Sequence, residues 1–139
     1  MMSAEWSSAC HWLPRYYPMT STHPKVSIGI VGPCASGKST LIAGLQRKGI
    51  YARHIAQEHS FVPDMWKKMV NPDLLIYLDA SYSTTLQRRK SDWSEAEYNE
   101  QVTRLYHARR WADFYLNTDD MSIEEVCIQV FNFINSKVE

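Results

Sequence analysis

Apolar and polar residues follow one another along this chain in two patterns: short runs without a helical period, and longer stretches with one. Lys25-Val26-Ser27-Ile28-Gly29-Ile30-Val31 is dominated by β-branched residues and ends in a glycine-bearing loop, the pattern of a buried strand in a parallel sheet. Lys38 to Lys48 follows with Leu41, Ile42 and Leu45 on one face and is stopped by Gly49, which predicts a helix. Tyr51 to Ala56 reads as a short second strand, and Pro63 and Pro72 bracket a helical turn over residues 64–69. Leu74 to Asp79 is an almost continuous apolar run closed by a carboxylate, a central strand. Ser81 to Lys90 predicts a helix. Ser94 with Glu97 makes a capping box opening another, whose buried stripe is expected at Tyr98, Val102 and Leu105. Ala112 to Asn117 is the fourth strand. Ser122 with Glu125 is a second capping box, and Val126, Val130, Phe133 and Ile134 give the last helix its apolar face. Strand and helix alternate throughout, so the expected fold is α/β, a three-layer sandwich around a mainly parallel sheet of about four strands.

Residues 1–24 (MMSAEWSSACHWLPRYYPMTSTHP) show neither period and carry Pro14, Pro18 and Pro24. They are expected to be an irregular leader packing loosely on the domain or, if translation starts at Met19, to include eighteen residues that are not part of the protein. The domain proper is expected over residues 25–139. A chain of 139 residues with 45% apolar content suits one domain with a real core. Its 15 basic and 15 acidic residues balance, so no global field favours nucleic acid or an anionic membrane. No stretch reaches the ~20 apolar residues of a membrane span, and no basic segment with a following apolar run marks secretion. Cys10, Cys34 and Cys127 lack CxxC pairing, which argues against a disulfide framework or zinc ribbon and for a reducing cytoplasm.

The glycines change the picture. All five (Gly29, Gly32, Gly37, Gly44 and Gly49) fall in one 21-residue window, so whatever the backbone wraps closely is wrapped there. Gly32-Pro33-Cys34-Ala35-Ser36-Gly37-Lys38-Ser39 fits G-x-x-x-x-G-K-S, the phosphate-binding loop pattern, with an apolar strand before it and an apolar-faced helix after it. In such a loop the amides from Cys34 through Thr40 turn towards phosphate oxygens, and the helix N-terminus adds partial positive charge. Lys38 is then placed to reach the β- and γ-phosphates of ATP, and the Ser39 hydroxyl to ligate Mg²⁺.

GPCASGKSTL resembles the loop of the small P-loop kinases, the cytidylate, uridine and shikimate kinase group of P-loop NTPases. LLIYLDASYSTTLQRR resembles their strand-then-helix segment, where basic residues follow the strand, and FYLNTDDMSIEEV resembles their last strand and adenine-side loop. Together these span roughly residues 25–135. Members of that group usually have five parallel strands and a long lid; here one strand–helix unit and the lid are missing. The resemblance implies an ATP- and Mg²⁺-dependent phosphotransferase acting on a small hydroxyl or phosphate acceptor, a nucleoside or nucleotide first. The short chain keeps open a catalytically weak module that binds ATP or ADP as a regulator.

Two carboxylates compete for the acidic role. Glu58 follows the strand expected beside the loop, where the resemblance implies an acid that contacts Mg²⁺ or activates the acceptor hydroxyl. Asp79 ends an apolar strand and is otherwise a strand-end cap. Arg53, His54 and His59 flank Glu58 and suit an anionic or polyhydroxyl acceptor, or are solvated loop charge. Trp66 stands where the resemblance implies an acceptor-binding helix, to stack on a base or to fill a hydrophobic lid. Arg88 and Arg89 fall where lid arginines close over the transferring phosphoryl group or adenine, a task suited to a guanidinium fork; the alternative is favourable charge at a helix C-terminus. Arg104, His107, Arg109 and Arg110 lie on the next helix, as a solvated face in part or with an arginine that reaches the phosphates. The chain has no glycine beyond residue 49, so it carries neither a GTPase D-x-x-G switch after the loop nor an ABC-type signature. Asn117-Thr118-Asp119-Asp120 is not a guanine reader.

Overall fold

Among the described residues four strands form where the β-branched and apolar runs lie: β1 (Ile28–Val31), β2 (Ala52–His54), β3 (Leu74–Asp79) and β4 (Phe114–Asn117). The helices are α1 (Lys38–Gln46), α2 (Tyr82–Arg89), α3 (Glu95–Trp111) and α4 (Ile123–Val138). A 3₁₀ turn at Gln57–His59 and one π turn at Trp66–Val70 lie between β2 and β3. The computed structural model describes residues 26–89 and 92–138, so the expected leader over residues 1–24 lies outside the described residues.

The sheet order is β2-β1-β3-β4, and every neighbouring pair is parallel. Ile28 pairs with Ala52 on one side and Leu74 on the other, and Ile76 pairs with Phe114. The start of β1 is pinned to the start of β3 reciprocally. Ser27 N–H donates to Asp73 Oδ2 (2.9 Å), and Asp73 N–H donates to Ser27 Oγ (2.8 Å).

Side-chain alternation along the strands feeds two cores. Ile28, Ile30, Ile76 and Leu78 face α1 and α4, meeting Leu41, Leu45, Val126, Val130 and Ile134. Val31, Leu75 and Tyr77 point the other way, into a smaller cluster with Ile55, Trp66, Leu105 and Ala108. Helices thus cover both faces of an all-parallel sheet, compatible with the expected three-layer sandwich. Burying a leucine such as Leu41 completely contributes about 2 kcal/mol.

Both capping boxes form: Ser94 with Glu97, and Ser122 with Glu125. The buried stripe of α3 differs from expectation. Its innermost residues are Gln101, Leu105 and Ala108, while Tyr98 and Val102 are only half-buried. Tyr98 instead turns to a small aromatic cluster with Tyr82 and Trp93 and donates its hydroxyl to Ala80 O (2.7 Å). No described helix is long and apolar enough to cross a membrane. Cys34 is a free thiol as expected; Cys127 on α4 is disulfide-bonded, against the expectation of isolated cysteines.

Candidate functional site

Chain order places one edge of the sheet apart from the rest. From β1 the chain goes to β2 on one side, then crosses back to β3 on the other. The C-terminal end of β1 is therefore the point where the winding reverses, the crevice in which open parallel sheets bind ligands. The glycine loop starts there.

Its shape rests on three positive φ values: Gly32 at 155°, Ala35 at 65° and Gly37 at 102°. A Cβ on Gly32 would stand 2.1 Å from Leu78 O and 2.8 Å from Ser36 Oγ, so the loop lies against the end of β3 closer than any side chain permits. Gly37 enters α1 in the left-handed region and offers no side-chain cap. The amides of Lys38, Ser39 and Thr40 occupy the first helical turn, where no intrahelical acceptor exists. Two expected phosphate donors are instead engaged within the protein. Ser36 N–H donates to Pro33 O (3.2 Å), and Cys34 N–H donates to Gln101 Oε1 (3.0 Å). Ser36 Oγ is buried without a hydrogen-bond partner among the described residues.

Lys38 folds back under this loop. Its ammonium donates to Gly32 O (2.6 Å) and Pro33 O (2.9 Å) and lies 3.2 Å from Glu58 Oε2, three acceptors for three protons. With only 5% of its surface exposed, burial holds Lys38 below the ordinary lysine value, and Glu58 offsets part of that shift. Glu58 sits on the 3₁₀ turn after β2, 2% exposed. Because β2 and β1 run parallel as neighbours, the turn and the loop meet at one edge. Among the described residues Glu58 Oε1 has no hydrogen-bond partner, a buried carboxylate oxygen left open. The Nε2 atoms of His54 and His59 lie 3.9 and 3.8 Å from Glu58 Oε2. Burial, then the Lys38 cation, hold His54 below the ordinary histidine value.

The remaining sequence-predicted residues are placed as follows. Ser39 is exposed and Thr40 half-buried at the start of α1; His59 is exposed beside Glu58, while Arg53 is exposed on β2, where its side chain alternates with that of His54, the strand residue that approaches Glu58. Arg88 Nη1 donates to Ala35 O (3.1 Å) and Thr118 Oγ1 (3.1 Å), and Nη2 to Thr118 O (3.0 Å), so this guanidinium holds the outside of the loop to the end of β4. Arg89 is not brought to the loop; its guanidinium lies over the Trp93 ring, 4.6 Å from the centroid. Trp66 belongs to the core. It is 6% exposed, with its indole N–H donated to His107 Nδ1 (3.1 Å), so its ring is not presented for stacking on a base. Asp79 caps the strand end. Its Oδ1 accepts from Ala80 N–H (2.9 Å) and its Oδ2 from the Tyr115 hydroxyl. Arg104 Nη1 donates to Glu58 O (3.3 Å), steadying the turn.

Sequence reasoning missed Gln101 and Thr118. Gln101 Nε2 also donates to Cys34 Sγ (3.2 Å), and Thr118 Oγ1 lies 3.0 Å from Asp79 O. The signal for Gln101 was present: it shares a four-and-three spacing with Leu105 and Ala108, a polar residue on a buried helical stripe. Thr118 carried no comparable signal. The assembled edge offers open amides, a buried cation, a carboxylate with a free oxygen, a thiol and two imidazoles within one small volume. Compared with protein-family models and with curated protein sequences, the chain matches none.

Proposed function

We propose that this chain is an ATP- and Mg²⁺-dependent phosphotransferase of P-loop type, moving the γ-phosphoryl group to a small hydroxyl or phosphate acceptor, a nucleoside or nucleotide first. The observation that carries this reading is the buried Lys38–Glu58 pair under the glycine loop at the winding reversal, with Glu58 Oε1 unpartnered. A structural ion pair alone has no need of an open carboxylate oxygen, nor of a loop shaped by three positive φ values.

In this reading the first-turn amides of α1 receive the phosphates, and Lys38 exchanges the carbonyls of Gly32 and Pro33 for β- and γ-phosphate oxygens. Ser39 and Glu58 offer the hard oxygen donors that suit Mg²⁺ and would hold it; when bound it neutralises phosphate charge. Glu58 accepts the proton of an acceptor hydroxyl as that oxygen attacks the γ-phosphorus in line and the bond to the β-phosphate oxygen breaks, releasing ADP. The protein contributes position and charge more than covalent chemistry. His59, exposed beside Glu58, and Arg53, exposed on β2, are the groups this reading assigns to the acceptor.

A second reading, a module that binds ATP or ADP without efficient transfer, is favoured by one specific observation. Arg88 is engaged with Ala35 O and Thr118 and Arg89 lies on Trp93, so both guanidinium groups are committed to the protein. A thermal-shift screen with ADP and Mg²⁺, extended over nucleosides, nucleotides and sugars, tests both. A ligand at 100 times its Kd adds about 2.7 kcal/mol of stability. No stabilisation by ADP or ATP defeats both readings; stabilisation without transfer to any acceptor selects the second.

A further inference from the structure

We propose that Cys34, Glu58 and His59 form a binding site for one transition-metal ion of the zinc type, which shares Glu58 with the proposed Mg²⁺ site and is set apart from it by a thiolate and an imidazole ligand. One potential ligand atom from each residue lies within 4.8 Å of the other two. Cys34 Sγ is 3.7 Å from His59 Nε2, and His59 Nε2 is 3.8 Å from Glu58 Oε2. A tetrahedral zinc ion with ordinary Zn–S and Zn–N bonds holds sulfur and nitrogen about 3.6 Å apart, so the thiol and imidazole already stand at ligand spacing.

Two further features point at an ion rather than at chance proximity. Glu58 is 2% exposed and its Oε1 has no partner, while Oε2 stays with Lys38. A cation held by the Glu58 carboxylate beside Cys34 and His59 would set positive charge against a buried group that has one oxygen unpartnered among the described residues. Outside the ligand set, Gln101 donates Nε2–H to Cys34 Sγ, and its Oε1 accepts from the Cys34 amide, which fixes the side-chain amide in that orientation. Such outer partners orient the ligands of metal sites. Arg104 anchors the turn that carries Glu58 and His59.

Thiolate and imidazole select zinc-type ions over Mg²⁺, which prefers oxygen and water. Binding deprotonates the Cys34 thiol and releases one proton to solvent, with no change of oxidation state.

The test is an anaerobic titration of the full chain with Co²⁺ in the absence of nucleotide, followed by Zn²⁺ displacement. The expected result is a thiolate-to-cobalt charge-transfer absorption that saturates at one ion per chain and disappears on adding Zn²⁺. Cys34→Ser should abolish that absorption. His59→Ala, at an exposed side chain, should keep it while weakening affinity on the order of 10-fold or more. An absorption retained in Cys34→Ser places the ion on another thiol and overturns the site, as does its absence from the parent chain. Unchanged affinity in His59→Ala overturns the three-ligand set. Circular dichroism checks that each variant folds. With no nucleotide present, failure here is distinct from failure of the phosphotransferase reading.

Discussion

Two carboxylates stand at the C-terminal edge of the sheet on opposite flanks of β1, and they have been put to different uses. Asp79, at the end of β3, gives both side-chain oxygens to the fold, one to Ala80 N–H and one to the Tyr115 hydroxyl. Burial and the Asp79 carboxylate together push the Tyr115 hydroxyl above the ordinary tyrosine value, as expected of a donor committed to an anion. Glu58, after β2, is more deeply buried yet keeps one oxygen without a partner and sets the other against a buried ammonium. A carboxylate with both oxygens bonded serves the fold; one with an oxygen left over is what the proposed function puts to use.

The sharpest way to break this contrast is Lys38→Ala. Removing the cation strands the buried Glu58 charge, and breaking such a pair costs about 3–5 kcal/mol, read by urea unfolding. Phosphoryl transfer should fall by about 3 kcal/mol of barrier, by analogy with losing one preorganised donor. A variant with unaltered stability and turnover would remove Lys38 from the site. Next in size, Glu58→Gln should lower transfer on the order of 10²-fold while ADP affinity persists; equal loss of both would make Glu58 a binding residue only. Gly32→Ala should cost about 2 kcal/mol, because its Cβ meets Leu78 O at φ 155°. Wild-type melting of that variant would show that the loop relaxes freely.

Asp79→Asn sharpens the other side. It weakens one hydrogen bond, about 1 kcal/mol, and should leave ADP affinity and transfer unchanged. A large loss of transfer there would exchange the roles of the two acids. The smallest effect concerns His54. Its pKa lies below the usual 6.5 in the folded state, so between the two values the unfolded chain binds more protons. Its share of stability is present above pH 6.5 and lost as pH falls towards the folded value. His54→Gln should flatten that acid limb of a stability–pH profile, and an unchanged limb would discount the shift.

How much of this was legible in the sequence differs between fold and site. Hydrophobic period located all four strands and the helices, because each strand is apolar enough to declare its burial and each long helix after β3 opens on a serine–glutamate box. The α3 stripe was misjudged because Tyr98 and Val102 look more apolar than Gln101, yet Gln101 is the residue that reaches the loop. Glu58 was legible through its position after the strand beside the loop. Its open oxygen was not, since that depends on where Lys38 and two histidines converge. Arg88 and Arg89 are adjacent in sequence and equivalent in charge. Helix rotation sends one to Ala35 O and the other to Trp93, a division that period alone does not fix.

The glycine loop is local in sequence but not in what keeps its form. Gln101 grips Cys34 from 67 residues away, Arg88 grips Ala35 from 53, and Thr118 touches Ser36 from 82. Such clasps close only after most of the chain has assembled, so the curl should be among the last features to set during folding. A peptide carrying the entire glycine signature but lacking α2 and α3 would own the letters without the cradle.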